Sequence, residues 1–324
     1  MNNQKSFIAV DLEGGDKAPN SVIRGIELAI KHGLVEAKKI VALGTEETVR
    51  LAQNKIKNVL CLVAEDKINM SDSAIESRKK KLSTIYQGIL GLANKEFSAF
   101  VSMGNTAGII TIALEQLKRI AEVRPAIAVP LPNVNGPCLL LDAGALHSVK
   151  PRALLDYAHL GLIYVKNIWG LKRPIVKLIN IGEESNKGDL LLTSAYELLA
   201  QDSLINFGGN IEPDRIFTEP VNIIICPGLL GNLIIKTGEG VLDYLRVKLG
   251  LFWKILSFFY QYQKYIDNKK IGGAICLGFD GIVIIGHGKS DAVAVANALH
   301  RAQLEIEVDI IGKIKEHFEH YQNK

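Results

Sequence analysis

Residues 281–303 read GIVIIGHGKSDAVAVANALHRAQ, and this stretch decides the fold of the chain. It begins as an apolar run rich in β-branched residues, which is typical of a buried strand, and it passes through a glycine turn into a helical pattern. The same order of run, turn and helical pattern recurs along the chain. Strands that alternate with helices indicate βαβ units and a mostly parallel sheet.

Short apolar runs that resemble buried strands occur throughout the sequence, and most of them end in glycine or in a small polar cluster. They are 7–11, 39–44, 59–64, 98–104, 138–144, 176–182, 222–228 and 281–288. Helical patterns lie between them, for example at 21–33, 110–122, 153–170, 191–201 and 291–303. Four clustered prolines could mark a subdomain junction, namely Pro125, Pro130, Pro132 and Pro137.

The composition is that of an ordinary globular protein. A length of 324 residues allows one large α/β domain or two smaller ones. Hydrophobic residues make up 48% and aromatic residues only 6%, so the core is mostly aliphatic and suits parallel strands covered by helices on both faces. The net charge of 38 − 34 = +4 is mild and does not predict nucleic-acid binding.

No signal peptide and no run of 18 uncharged apolar residues is present, so we expect a cytoplasmic protein without a transmembrane helix. The four cysteines are far apart, which argues against a zinc ribbon and against a disulfide framework. Cys61, Cys138 and Cys226 lie in apolar runs, and we expect them to be buried and reduced. We predict no metal site and no cofactor. A nicotinamide cofactor is disfavoured because no G-x-G-x-x-G follows the first strand.

Polar and glycine-rich residues follow the predicted strands, at the sheet edge where parallel sheets bind ligands. Glycine lets the backbone approach an anion, and a helix N-terminus offers unpaired N–H groups. The candidate phosphate-binding residues are Gly14, Gly15, Asp16, Gly104, Asn105, Thr106, Gly286, Gly288 and Ser290. The alternative is a tight strand-to-helix turn, with Ser290 or Asp291 as N-cap. A nucleotide P-loop is disfavoured because Val283 occupies the position of its first glycine.

Two charged segments carry further candidates. Lys187 follows a predicted strand end and could pair with an anionic substrate or a developing oxyanion, and the Glu183–Glu184 pair could orient it. The second segment is the basic run 78–81, which is either a solvated helix face or a docking patch for an acidic partner.

An aromatic and basic segment occupies residues 242–266, with no acid between Asp243 and Asp267. Seven of the 21 aromatic residues of the chain lie within 252–265. An apolar face at helical spacing includes Leu249, Phe252, Trp253, Leu256, Phe259 and Tyr260. Such a face needs a cover, and either a membrane interface or a partner subunit would supply one.

Together these motifs resemble the bacterial phosphate acyltransferase family of phospholipid synthesis, often called PlsX. The segments that carry the resemblance are 8–29, 78–84, 101–114, 124–132, 179–199, 228–240 and 272–299. The resemblance implies a single domain over 1–324, a three-layer α/β/α fold like isocitrate and isopropylmalate dehydrogenases, and a homodimer. It also implies a protruding amphipathic helical appendage at about 242–268.

The implied reaction joins a long-chain acyl group from acyl carrier protein to inorganic phosphate, giving acyl phosphate and free carrier protein. The enzyme would associate peripherally with the membrane and pass its product to a membrane glycerol-phosphate acyltransferase. Because phosphate is itself the nucleophile, no Ser or Cys nucleophile is required. We expect Lys187 and Asn232 to stabilise charge and His287 to position or deprotonate phosphate.

The sequence departs from the family pattern at several strand ends. Leu146 and Ser148 replace an Asn and an Asp, Pro227 replaces an Asp, and Glu13 replaces the usual Met before Gly-Gly-Asp. Two alternatives therefore stay open. One is a phosphotransacetylase-like enzyme that acts on acyl-coenzyme A, and the other is a membrane-associated scaffold with reduced or lost catalysis.

Overall fold

The computed structural model describes residues 6–146, 148–260 and 272–322. Contacts divide the chain into two compact units, Met1–Glu122 with Asn268–Lys324, and Val123–Asp267. The first boundary lies two residues before Pro125, at the start of the proline-rich stretch. The single domain implied by the resemblance stays a prediction.

Strands and helices alternate along the described residues, and every apolar run identified in the sequence overlaps a strand, which confirms those predictions. The strands are β1 (Ile8–Asp11), β2 (Ile40–Gly44), β3 (Leu60–Val63), β4 (Ala99–Ser102), β5 (Ala126–Asn133), β6 (Gly136–Leu141), β7 (Ile175–Ile179), β8 (Asn206–Ile211), β9 (Ile223–Ile225), β10 (Ala274–Leu277) and β11 (Ile282–Ile285). The helices are α1 (Asn20–Lys31), α2 (Glu46–Lys55), α3 (Ala74–Lys79), α4 (Thr84–Ala93), α5 (Thr106–Gln116), α6 (Pro151–Ile168), α7 (Leu190–Gln201), α8 (Gly228–Tyr260), α9 (Ala292–Glu307) and α10 (Ile310–Gln322).

The sheet of the first unit has the strand order β3-β2-β1-β4-β11-β10. Its strands pair in parallel, except that β10 is antiparallel to β11. The strand order reverses between β1 and β4, because the chain moves outward to β2 and β3 before it returns to β4. The carboxyl ends of β1 and β4 therefore flank the crevice in which open α/β sheets bind ligands.

The sheet of the second unit has the order β5-β6-β9-β7-β8. Strands β6, β9, β7 and β8 pair in parallel, while β5 and β6 form an antiparallel hairpin. Helix α6 packs on β6 and β9 and buries Tyr157 and Tyr164 completely. The α/β class and the mostly parallel sheet predicted from the sequence are confirmed.

Two expectations about local structure need correction. Helix α5 spans Thr106–Gln116 and not 110–122, because the side chain of Asn105 accepts the amide of Gly108 and starts the helix early. Cys61 is only half-buried, because β3 lies at the edge of the sheet and exposes Leu60 and Val63. Cys138, Cys226 and Cys276 are buried free thiols.

The start of α8 packs directly on the residue that follows β6. A Cβ atom at Gly231 would lie 1.9 Å from the backbone oxygen of Asp142, so a larger residue cannot fit without backbone movement. The thiol of Cys226 donates to the same oxygen at 3.3 Å. The contact fixes the position of α8 against the loop after β6.

We expect Gly231→Ala to lower the free energy of unfolding by about 3 kcal/mol, because the added methyl group overpacks this contact. The matched control is Gly238→Ala on the same helix, where no heavy atom lies within 4 Å of the added carbon. The control gains helix propensity and should raise the free energy of unfolding by up to about 1 kcal/mol. Urea unfolding measures both values, and equal effects would contradict the contact.

Candidate functional site

The glycine turns that follow β1, β4 and β11 lie against one another in the first unit. The amide of Asp16 donates to the carbonyl oxygen of Gly288 at 2.8 Å, and the amide of Gly286 donates to the carbonyl oxygen of Ser102 at 2.9 Å. A Cβ atom at Gly14 would lie 2.8 Å from the hydroxyl oxygen of Ser102, so the turns approach closely. The structure thus brings together the three turns singled out in the sequence.

A buried carboxyl group fixes this arrangement. Asp11 Oδ2 accepts a hydrogen bond from the hydroxyl of Ser102 at 2.6 Å, and Oδ1 accepts the amide of Glu13 at 3.0 Å. The Ser102 hydroxyl oxygen in turn accepts the amide of Gly104 at 2.9 Å. Burial raises the pKa of Asp11, although the Ser102 hydrogen bond opposes the shift. Asp11 was not among the predicted site residues, although it ends β1.

The side chain of Asn105 is committed to the fold. Its Nδ2 donates to the carbonyl oxygens of Asn69, Met70 and Asp72 at 3.2, 3.3 and 2.6 Å, and its Oδ1 accepts the amide of Gly108 at 3.0 Å. Backbone amides remain for an anion, because the first turn of a helix leaves its N–H groups without intrahelical partners, and so does the hydroxyl of Thr106. Thr106 begins α5 and is exposed.

His287 lies exposed in the turn between β11 and α9. Its Nδ1 accepts the amide of Lys289 at 3.0 Å, and its carbonyl oxygen accepts the amide of Ser290 at 2.8 Å. A neutral imidazole that accepts at Nδ1 carries its proton on Nε2. Asp291, and not Ser290, is the N-cap of α9, because its carboxylate accepts the amide of Ala294 at 3.1 Å.

Lys187 belongs to the second unit, in the loop that follows β7. The side chain of Asn180 donates to the carbonyl oxygen of Lys187 at 2.8 Å, which fixes the backbone of this loop. The ammonium group is 3.9 Å from Glu184, and the side chain is 46% exposed. Glu183 pairs instead with Arg215, so only one of the two glutamates could orient the lysine.

Asn232 also lies in the second unit, on α8, where it faces the turn after β6. A Cβ atom at Gly144 would lie 3.3 Å from Cβ of Asn232, and Gly144 has a φ of +115°. The turn is held by Asp142, whose carboxylate accepts backbone amides between 2.8 and 3.1 Å from Ile127, Gly144, Ala145 and Leu146. Burial raises the pKa of Asp142.

A family model described as fatty acid synthesis protein matches residues 7–313. The chain belongs to this family. A relative named phosphate acyltransferase from Clostridium novyi is 38% identical, with 96% of this chain and 98% of the relative covered. Another relative of the same name, from Halothermothrix orenii, is 36% identical, with 95% of this chain and 97% of the relative covered. The expectation of an acyltransferase enzyme is confirmed by these relatives.

Solved structures support the fold. A phosphotransacetylase from Streptococcus pyogenes gives a TM-score of 0.61 at 17% identity, over 94% of this chain and 95% of that chain. A branched-chain phosphotransacylase from Enterococcus faecalis gives a TM-score of 0.58 at 13% identity, over 92% of this chain and 99% of that chain. These likenesses confirm the α/β architecture with helices on both faces of the sheet.

The carboxylate of Glu13, a departure from the family pattern, is bound by the residues at the start of α2. Its Oε1 accepts the hydroxyl of Thr48 at 2.6 Å and the hydroxyl and amide of Thr45 at 2.7 and 3.0 Å, at the start of α2. Its Oε2 is 3.4 Å from the ammonium group of Lys67. Burial raises the pKa of Glu13, but the Thr48 and Thr45 hydrogen bonds outweigh it and hold that pKa below 4.5.

The other departures lie beside the Asp142 turn. Pro227 precedes α8, and its carbonyl oxygen accepts the amide of Gly231 at 3.1 Å, while its ring offers no side-chain cap. Leu146 is half-buried and donates its amide to Asp142, and Ser148 is exposed.

The aromatic segment falls on the far part of α8, which reaches Tyr260 and departs from helical geometry at Gly250. Leu249 is half-buried. The remaining contact candidates have side chains outside the described part of the chain, namely Phe252, Trp253, Leu256, Phe259 and Tyr260. Among the described residues, no helix is long and apolar enough to cross a membrane, and no acidic, His or Cys cluster could hold a metal ion.

We expect Glu13→Gln to lower the free energy of unfolding by about 1 kcal/mol at neutral pH, because hydrogen bonds to a charged acceptor become bonds to a neutral one. A depressed pKa stabilises the fold above the ordinary value of 4.5, and the stabilisation is lost as pH falls through the folded value. The difference between wild type and variant should stay constant from pH 8 to about 5 and narrow below it.

Urea titrations at several pH values measure this difference. The control is Glu47→Gln, an exposed glutamate on α2, the helix whose start contacts Glu13, and it should leave the profile unchanged. A difference for Glu13→Gln that widens in acid would contradict the environment described for this carboxylate.

Proposed function

We propose that the chain transfers a long-chain acyl group from acyl carrier protein to inorganic phosphate, and that the acyl phosphate feeds phospholipid synthesis through a membrane glycerol-phosphate acyltransferase. The observation that carries the proposal is the packing of the β1, β4 and β11 turns at the point where the strand order reverses. The turns offer backbone N–H groups at the N-terminus of α5, which suit a phosphate dianion. The relatives' name, phosphate acyltransferase, supports the transfer of an acyl group to phosphate.

In the proposed reaction, a phosphate oxygen attacks the thioester carbonyl carbon and the carbon–sulfur bond then breaks. The carrier leaves as a thiolate and takes up a proton. The protein positions the phosphate and stabilises the tetrahedral oxyanion. We assign phosphate binding to the backbone of the glycine turns and to Nε2 of His287. We assign stabilisation of the developing negative charge to Lys187 and Asn232, as the family resemblance implies.

The identity of the acyl donor is tested by measuring thiol release from palmitoyl carrier protein and from palmitoyl-coenzyme A, each in the presence of phosphate. We expect phosphate-dependent release of carrier protein with a higher kcat/KM than release of coenzyme A. A preference for coenzyme A would favour the phosphotransacetylase-like alternative, whose motivation is the fold likeness. Release of neither thiol would favour the scaffold alternative, which the changes at Leu146, Ser148 and Pro227 motivate.

We expect Lys187→Ala and His287→Ala each to lower kcat/KM by about 100-fold, the usual loss when one donor to an oxyanion or phosphate is removed. Steady-state release of carrier protein measures the effect. The matched controls are Lys166→Ala and His32→Ala, which remove exposed side chains at other sites. Near-wild-type turnover in both site variants would contradict the assignment.

We further propose that the protein is a homodimer that associates peripherally with the membrane through the helical segment at 242–268. The described part of α8 supports a contact there, because Tyr244 and Val247 expose 61% and 81% of their surface. They lie three residues apart and so share one helix face. Lys248 lies 5.9 Å from the centre of the Tyr244 ring and adds positive charge suited to anionic lipid.

We expect Val247→Asp to reduce cosedimentation with anionic phospholipid vesicles at least threefold, because it places a negative charge on the exposed helix face that Tyr244 and Val247 form. Val134→Asp changes another exposed valine, at 62% exposure in the β5–β6 turn, and should bind vesicles like wild type. Sedimentation velocity of both variants reports the oligomeric state. A change from dimer to monomer with unaltered vesicle binding would instead assign this face to the partner subunit.

A further inference from the structure

A basic and partly apolar surface lies beside the Gly104 turn, formed by Met70, Ile75, Lys79, Lys81 and Leu82. We call it the 70–82 surface. Its apolar side chains are well exposed, with Ile75 at 69%, Leu82 at 51% and Met70 at 46%. Ile75 and Lys79 are four residues apart on α3 and therefore share a helix face. The surface thus combines apolar side chains with lysines at short spacing.

Two of the positive charges in this segment are not in ion pairs within the described residues. Arg78 pairs with Glu115 at 2.9 Å, and Lys80 pairs with Asp72 at 2.7 Å. Within the described residues, the exposed Lys79 has no ion pair, and the same holds for Lys81. The paired side chains hold the segment in place, and the two remaining lysines present charge to an incoming partner.

The 70–82 surface is fixed to the proposed phosphate site. Asn105, in the Gly104 turn, donates to the carbonyl oxygen of Met70 and to those of its neighbours in the loop. A Cβ atom at Gly288 would lie 2.8 Å from the Met70 methyl group. Helix α3 also packs closely on α5, since a Cβ atom at Gly108 would lie 2.8 Å from the Ser77 hydroxyl. A molecule bound to this surface is therefore adjacent to the glycine turns.

We propose that the 70–82 surface docks the acidic protein that carries the acyl group. The inference rests on the proposed function in one respect, that the acyl donor is borne by a protein. Lysines steer an acidic partner and fix its register, while Ile75 and Leu82 supply the apolar contacts that such interfaces bury at their centre. An anionic membrane fits less well, because α3 has only six residues and no continuous apolar face.

The test is direct binding of fluorescently labelled palmitoyl carrier protein, followed by anisotropy at low salt. We expect the double variant Lys79→Glu/Lys81→Glu to raise Kd at least tenfold and to weaken its salt dependence. Ile75→Ala should raise Kd about threefold without a change in charge. The control is Lys55→Glu/Lys57→Glu, which makes the same charge change at the same spacing in the same unit and should bind like wild type.

Binding and turnover separate this inference from the proposed function. If wild type binds palmitoyl carrier protein and the Lys79→Glu/Lys81→Glu variant does not, the docking surface is supported even when no phosphate-dependent release of carrier protein occurs. Absence of that release would overturn the proposed function. Equal Kd values for both double variants, or no binding by wild type, would overturn the docking surface. The docking surface would also be overturned if the Lys79→Glu/Lys81→Glu variant bound carrier protein like wild type but no longer bound anionic vesicles, since the surface would then be a membrane contact.

Discussion

The hydrogen bond between Asp11 and Ser102 is the interaction on which the candidate site depends. It joins the ends of β1 and β4, at 2.6 Å and out of contact with water, at the point where the strand order reverses. An acceptor and a donor buried together satisfy each other, whereas either one alone would carry a desolvation cost. The same Ser102 oxygen holds the Gly104 amide, so a single contact sets the spacing of two turns.

The second unit uses a buried carboxyl group in the same way. Asp142 lies directly after β6, and Asp11 lies at the end of β1. The Asp142 carboxylate accepts hydrogen bonds from the backbone amides of the turn that ends at Leu146. Burial raises the pKa of both groups, which shows that desolvation outweighs the hydrogen bonds in each case. Each unit thus places a glycine turn at a strand end by enclosing an aspartate, and the two turns carry different candidate residues.

Strand positions were predictable because buried parallel strands form short aliphatic runs, and the glycines after them marked the turns. Strand β10 was not predicted although it is a short aliphatic run before Gly278, whereas β5 and β8, also not predicted, lack that signature. Strand β5 contains Pro130 and Pro132, which suggest a loop, yet it pairs in antiparallel fashion with β6. Strand β8 contains two glycines and shows a register shift where it pairs with β7. The direction in which Glu13 points was also not predictable, because it depends on Thr45 and Thr48, more than 30 residues away.

Asn105 shows how the fold limits the chemistry that its residues can perform. Its amide group meets three carbonyl oxygens and its oxygen caps α5, so the side chain cannot also bind an anion without releasing the loop at 69–72. The donors left for an anion at this turn are the backbone N–H groups of the helix terminus and the hydroxyl of Thr106, none of which carries a full charge. The same hydrogen bonds fix Met70 beside Gly288. Asn105 is thus a positioning residue, and it connects the geometry of the proposed phosphate site to that of the neighbouring surface.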